Sequence, residues 1–167
     1  MAKKTTTFSE GDYVVYPLQG VGKIDKIEER VFKGEKLLYY VVNLETSDDM
    51  IVHIPVTKVD DLGVRPVVTA QVAKKALEDM NKNITASPSD WKERYNMNLD
   101  LIKSGAVTDI ALVVARLYHR SKNKELPVQE RKLFDNAQKL LIDEISSSMG
   151  KSKKEVEQLI LCQLEAD

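Results

Sequence analysis

The chain has 167 residues, 43% of them apolar and 31% charged, and carries a formal net charge of −1. That composition fits an ordinary globular protein and excludes a disordered polyelectrolyte, while a charge so near zero excludes coating of nucleic acid by bulk charge. No run approaches the roughly 18 consecutive apolar residues of a membrane span, and the start Met1 to Thr7 lacks the apolar stretch of a secretory signal, so a cytoplasmic location and no membrane are expected. The one cysteine, Cys162, cannot form an internal disulfide and is expected to fill space.

Up to Pro66 the sequence reads as short β-rich runs: Tyr13 to Tyr16, Val21 to Phe32, Leu37 to Leu44 and Met50 to Ile54. Turn chemistry separates them at Pro17 with Gly20 and Gly22, at Lys33-Gly34-Glu35, at Thr46 to Asp49 and at Pro55. Connections this short cannot make parallel crossovers, so a small antiparallel, barrel-like unit is predicted. Alternation in the last run puts Met50, Val52 and Ile54 on one face and Ile51 and His53 on the other.

Beyond Pro66 the apolar period lengthens to that of helices. Thr69 is placed to cap a helix running to about Lys82, with Val72, Ala73, Ala76, Leu77 and Met80 on its face. Ser87-Pro88-Ser89-Asp90 predicts a second start, with proline at the first helical position, and Ser104-Gly105 its end. Val107, Ile110, Ala111, Val114, Leu117 and Tyr118 stripe a third helix, and Leu133, Ala137, Leu140, Leu141 and Ile145 a fourth that begins near Pro127 and stops before Gly150. Ser152-Lys153-Lys154-Glu155 is a capping-box pattern opening a last helix, with Val156, Leu159, Ile160 and Leu164 on one face. The predicted class is thus α+β: a β domain over 1–66, with 1–7 disordered, and an all-α domain over 67–167.

Charge is unevenly spread. From Lys82 to Lys132 there are ten basic and six acidic residues, whereas residues 1–66 hold nine basic and eleven acidic. A locally basic middle suits either a limited DNA contact or an ordinary solvated helical surface. Nothing points to an enzyme. His53 and His119 have no neighbour at metal-ligand spacing, Gly20-Val21-Gly22 lacks the rest of a dinucleotide fingerprint, and Gly150-Lys151-Ser152 lacks the loop of a phosphate cradle. No cofactor and no metal are expected.

The order of motifs is more specific than any one of them. Phe8 to Pro17, then Gly20-Val21-Gly22, then Lys33-Gly34-Glu35, resembles the opening of the CarD/CdnL family and the polymerase-interacting domain of transcription-repair coupling factors. Trp91-Lys92-Glu93-Arg94-Tyr95, Asn98-Leu99, Ser104-Gly105 and Val113 to Arg120 resemble the CarD helical domain, and the length leaves no room for a coupling factor's helicase motor.

The resemblance implies a Tudor-like domain that binds the RNA polymerase β subunit and a helical domain that touches the upstream edge of the promoter bubble, stabilising the open complex. It implies polymerase contacts at Arg30, Met50 and His53, where strand edges give affinity and side chains choose the partner. For Trp91, helical spacing with Tyr95, Asn98 or Leu99 and Ile102 reads as core; the resemblance implies instead an exposed wedge in the minor groove. Lys92 and Arg94 would meet phosphates beside it, with Arg116, Arg120, Lys122 and Lys124 as further DNA contacts.

Two positions depart from the family pattern. Glu93 stands where a basic residue is common, and His53 where arginine is common, which turns a fixed charge into one that depends on its surroundings. The expected function is a monomeric transcription regulator without sequence-specific base reading. The alternative is a protein adaptor whose helical domain binds another protein, with Trp91 buried or serving as an anchor.

Overall fold

The structure, a computed structural model, describes residues 7–44, 50–82, 84 and 88–166. The chain divides into two compact units, split between Val67 and Val68. The expectations for residues 1–6 and for the turn at Thr46 to Asp49 fall outside the described residues.

In the first unit, β1 (Tyr13–Tyr16), β2 (Gly20–Phe32), β3 (Glu35–Leu44), β4 (Ile51–Pro55) and β5 (Arg65–Pro66) form one sheet in the order β4-β3-β2-β1-β5. Every pairing is antiparallel, as the short connections require. Among the described residues no pairing joins β4 to β5. A 3₁₀ turn (Val56–Lys58) and a one-turn helix α1 (Val59–Leu62) lead into β5. These three pieces carry too few residues to leave a periodic signal.

Alternation sets the core. Val14, Ile24, Tyr40, Val42, Leu44 and Ile54 are buried together with Phe8, Val59 and Val64. Tyr40 serves twice, because its ring meets Phe8 edge-on and its hydroxyl accepts from the Phe8 N–H at 3.0 Å. Gly22 sits inside β2 rather than in a turn: a Cβ there would lie 2.5 Å from Val42 Cγ1. The β2–β3 hairpin turns at Lys33 (φ 51°) and Gly34 (φ 80°), the pair of positive φ values that matches strand twist in a two-residue loop. Its far half runs past its neighbours, since β1 pairs only with 20–23 and β4 only with 39–43.

The second unit holds α2 (Ala70–Asp79), α3 (Trp91–Ser104), α4 (Val107–Asn123), α5 (Val128–Met149) and α6 (Lys153–Glu165). Thr69 and Ser152 cap α2 and α6 as their side chains suggest, each accepting a backbone N–H three residues on. Central α4 buries Val107, Ile110, Ala111, Val113, Val114, Ala115 and Leu117, an apolar face that takes up about half of its circumference. Around it pack Ala73, Ala76 and Leu77 of α2, Leu133, Ala137, Leu141 and Ile145 of α5, and Val156, Ile160 and Leu164 of α6.

Three local expectations are corrected. Helix α3 starts at Trp91, capped by Asp90, and not at Pro88. Val72 is exposed on the outer face of α2. Cys162 is likewise exposed and fills no core space.

Candidate functional site

On the β unit, cross-strand register carries side chains of β2 and β4 onto one outer face. Glu28 and Arg30 are two apart on β2, and His53 pairs with Val41, itself paired with Lys26. Arg30 Nη2 lies 3.1 Å from His53 Nε2 and 3.4 Å from Glu28 Oε2, and His53 Nε2 stands 3.9 Å from the same carboxylate. A guanidinium has only donors, so in this contact Arg30 donates and Nε2 accepts. The Arg30 side chain remains 51% exposed. Met50 is 49% exposed just before β4 and is not part of the triad, although its carbonyl accepts from Leu44 N at 2.8 Å.

Beside Arg30 the hairpin tip exposes Val31 (69%) and Phe32 (56%), with the Lys33 ammonium 5.5 Å over the Phe32 ring. Neither these two nor Glu28 stood out in the sequence. The available signal was an apolar pair directly before a two-residue turn, where burial is impossible on both faces.

On the helical unit, Trp91 opens α3. It is half-buried and is not among the side chains packed on the helical core, and Lys92 Nζ lies 5.9 Å from its ring centroid. The buried stripe of α3 is instead Arg94, Asn98 and Ile102. Arg94 as a phosphate contact is therefore corrected: it is 2% exposed and enclosed in an ion pair with Glu130. Its Nε donates to Glu130 Oε2 at 3.1 Å, Nη2 donates to Glu130 Oε1, and Nη1 donates to the Pro88 and Ser89 carbonyls at 3.0 and 3.3 Å. The stripe expected from spacing ran through Trp91, Tyr95, Asn98 or Leu99 and Ile102 and did not include Arg94, whose surface role came from the family resemblance.

Arg116, Arg120 and Lys124 come together. With Ile84, His119 and Asn123 they line an open concavity of about 360 Å³ at the C-terminal end of α4. Cations collected at a helix C-terminus are favoured there by the dipole, and they form a surface suited to phosphate. Lys122 does not line it. Its ammonium lies 3.1 Å from Glu165 Oε1 and 5.0 Å from the Tyr118 ring, and Tyr118 OH donates to the same carboxylate. Hydrogen bonds from Tyr118 and Lys122 hold the Glu165 carboxyl below its ordinary range, and hydrogen bonds to Tyr118 and Glu165 raise Lys122.

Among the described residues no group of three or more His, Cys, Asp or Glu side chains is placed to hold a metal, and no helix is long and apolar enough to cross a membrane. The family model "CarD-like/TRCF RID domain" matches residues 8–68, and "CarD, C-terminal domain" matches residues 75–161. The chain belongs to the CarD-like family. Its CarD-like relatives include the putative transcription factor YdeB of Bacillus subtilis (strain 168), 36% identical over 149 residues, which cover 89% of this chain and 97% of that protein. Among solved structures, CdnLNt from Myxoccoccus xanthus is 34% identical and covers 41% of this chain and 94% of its own, with a TM-score of 0.32.

Proposed function

We propose that this chain is a transcription regulator whose β unit binds the RNA polymerase β subunit and whose helical unit contacts promoter DNA at the upstream edge of the bubble, stabilising the open complex. Membership of a transcription-factor family, with the CarD-like/TRCF RID domain followed by the CarD C-terminal domain, supports the general role. The observation that carries the specific one is the half-buried Trp91, outside the helical core at the very start of α3.

An indole presented this way is suited to an apolar contact with partly unstacked base steps. Lys92 beside it, and Arg116, Arg120 and Lys124 around their concavity, supply cations for phosphates, which fix register without reading sequence. On the β unit, Arg30 and His53 with Glu28 give a polar centre and Phe32 and Val31 an apolar flank, the composition of a protein-docking patch. Met50 extends that patch from the start of β4.

The test is affinity capture of RNA polymerase from the cells that make this protein, followed by open-complex decay on a promoter fragment with and without the chain. Capture of the β subunit together with a lengthened lifetime supports the proposal. Capture without any effect on lifetime, or with binding of another protein through the helical unit, favours an adaptor.

A further inference from the structure

Among the described residues Arg94 is the largest fully buried side chain, and its four hydrogen bonds there run to two places. Two reach Glu130 in the first turn of α5, and two reach the carbonyls of Pro88 and Ser89, which immediately precede the Asp90 cap and Trp91. One guanidinium thus ties the entry segment of α3 to α5. Folding stability gives little reason for such an arrangement, since an apolar pair of similar volume generally serves a core as well as a buried ion pair. Directed bonds do give a reason, because the planar fork fixes the positions of the carboxylate and both carbonyls at once.

We propose that Arg94 and Glu130 are positioning residues for Trp91, holding the 88–90 segment so that the indole is presented in one orientation. The inference rests on the DNA-contact reading of Trp91 above. An indole at the end of a loose segment would have to be ordered during binding, and that ordering would subtract from affinity.

The test uses the full chain with Arg94→Met and Glu130→Met combined, which replaces the pair by apolar side chains and removes the donors to Pro88 and Ser89. Trp91 is the only tryptophan, so its fluorescence reports on this site alone. Expected are a melting temperature at or above wild type, increased acrylamide quenching of Trp91, and an open-complex lifetime shortened about tenfold toward that of Trp91→Ala.

Unchanged quenching with a wild-type melt overturns the proposal. So does increased quenching with an unchanged lifetime when Trp91→Ala itself shortens it. If quenching increases and neither variant alters the lifetime, the tether stands and the DNA reading of Trp91 has failed. Should the double variant not fold, Arg94→Lys carries the same readouts: one ammonium cannot span a carboxylate and two carbonyls, so quenching should rise, and no rise overturns the proposal.

Discussion

Arg30 and His53 meet 3.1 Å apart across the intervening strand β3, with the arginine donating and the imidazole accepting. The contact is exposed and offers little stability, since surface charge pairs typically contribute about 0–1 kcal/mol. What it does is hold the Arg30 guanidinium against the His53 ring and beside Glu28, with donors left over for a partner.

Arg30→Glu should therefore abolish binding to the β subunit while leaving the melt and DNA binding unchanged. The substitution reverses the charge offered to the partner, and a like-charge clash across an interface costs several kcal/mol. The check is capture of purified β subunit by wild type and variant, together with a thermal melt. Undiminished capture removes Arg30 from the docking patch.

Removing Arg94 alone is a different experiment from removing the pair. Glu130 is fully buried, and without its partner it becomes an uncompensated interior charge. Arg94→Ala is expected to cost about 3–5 kcal/mol of folding stability. Urea unfolding measures this directly, and a loss below about 1 kcal/mol would mean that the guanidinium is solvated rather than enclosed.

Gly22→Ala is predicted to destabilise the β unit by about 1–3 kcal/mol, the usual cost of overpacking. The added methyl would meet Val42 Cγ1 at 2.5 Å and Leu44 Cδ2 at 3.0 Å, both on the buried face of β3. Urea denaturation of the full chain followed by far-ultraviolet circular dichroism tests it. A wild-type midpoint would show that β3 gives way freely.

These residues also mark what the sequence could disclose. Strand and helix existence was legible because alternation and helical stripes are dictated by burial: Leu133, Ala137, Leu141 and Ile145 are all inside. Charge patterning failed at Arg94 and Glu130, because a long cation and an acid cancel only when folding brings them together over 36 positions. The same limit hid the Glu28, Arg30 and His53 cluster, whose members are joined by register across three strands. Spacing set Trp91 on the inner stripe of α3, whereas the helix begins at that residue and its buried stripe runs through Arg94, Asn98 and Ile102. Among the described residues neither amide atom of the fully buried Asn98 has a hydrogen-bond partner, an arrangement for which the fold gives no physical reason.

The contact of Glu165 with Tyr118 and Lys122 should make the attachment of α6 depend on acid. The Glu165 carboxyl is held below its ordinary value in the folded state, so its contribution is present above the unfolded carboxylate pKa and is lost as pH falls through the lowered one. Lys122, raised when folded, contributes below its unfolded pKa and loses that contribution only in strong alkali. Glu165→Gln should therefore melt slightly below wild type from pH 6 to 9, roughly the plateau between those limits, and the gap should close in the acid range. A gap that persists undiminished at low pH would trace to packing rather than charge.

Trp91→Ala separates the two readings of that residue, because they predict opposite outcomes. A core tryptophan costs about 3–5 kcal/mol on truncation. The indole is half-buried and off the helical core, so the expected loss is nearer 1 kcal/mol, a shift of about 4–8 °C in a unit of this size. Its effect on open complexes is set by differential affinity alone: a residue that favours the open over the closed form by about 1.4 kcal/mol lengthens the open state about tenfold. That is a modest demand on one aromatic contact with distorted steps, and the variant keeps the Lys92 charge beside it. The measurement pairs a thermal melt with decay of open complexes under competitor challenge at one fixed salt concentration, since phosphate contacts vary steeply with salt. A small melt shift with about tenfold faster decay is the expected result. A small shift with unchanged decay takes Trp91 out of the mechanism, and a loss of several kcal/mol returns it to the core.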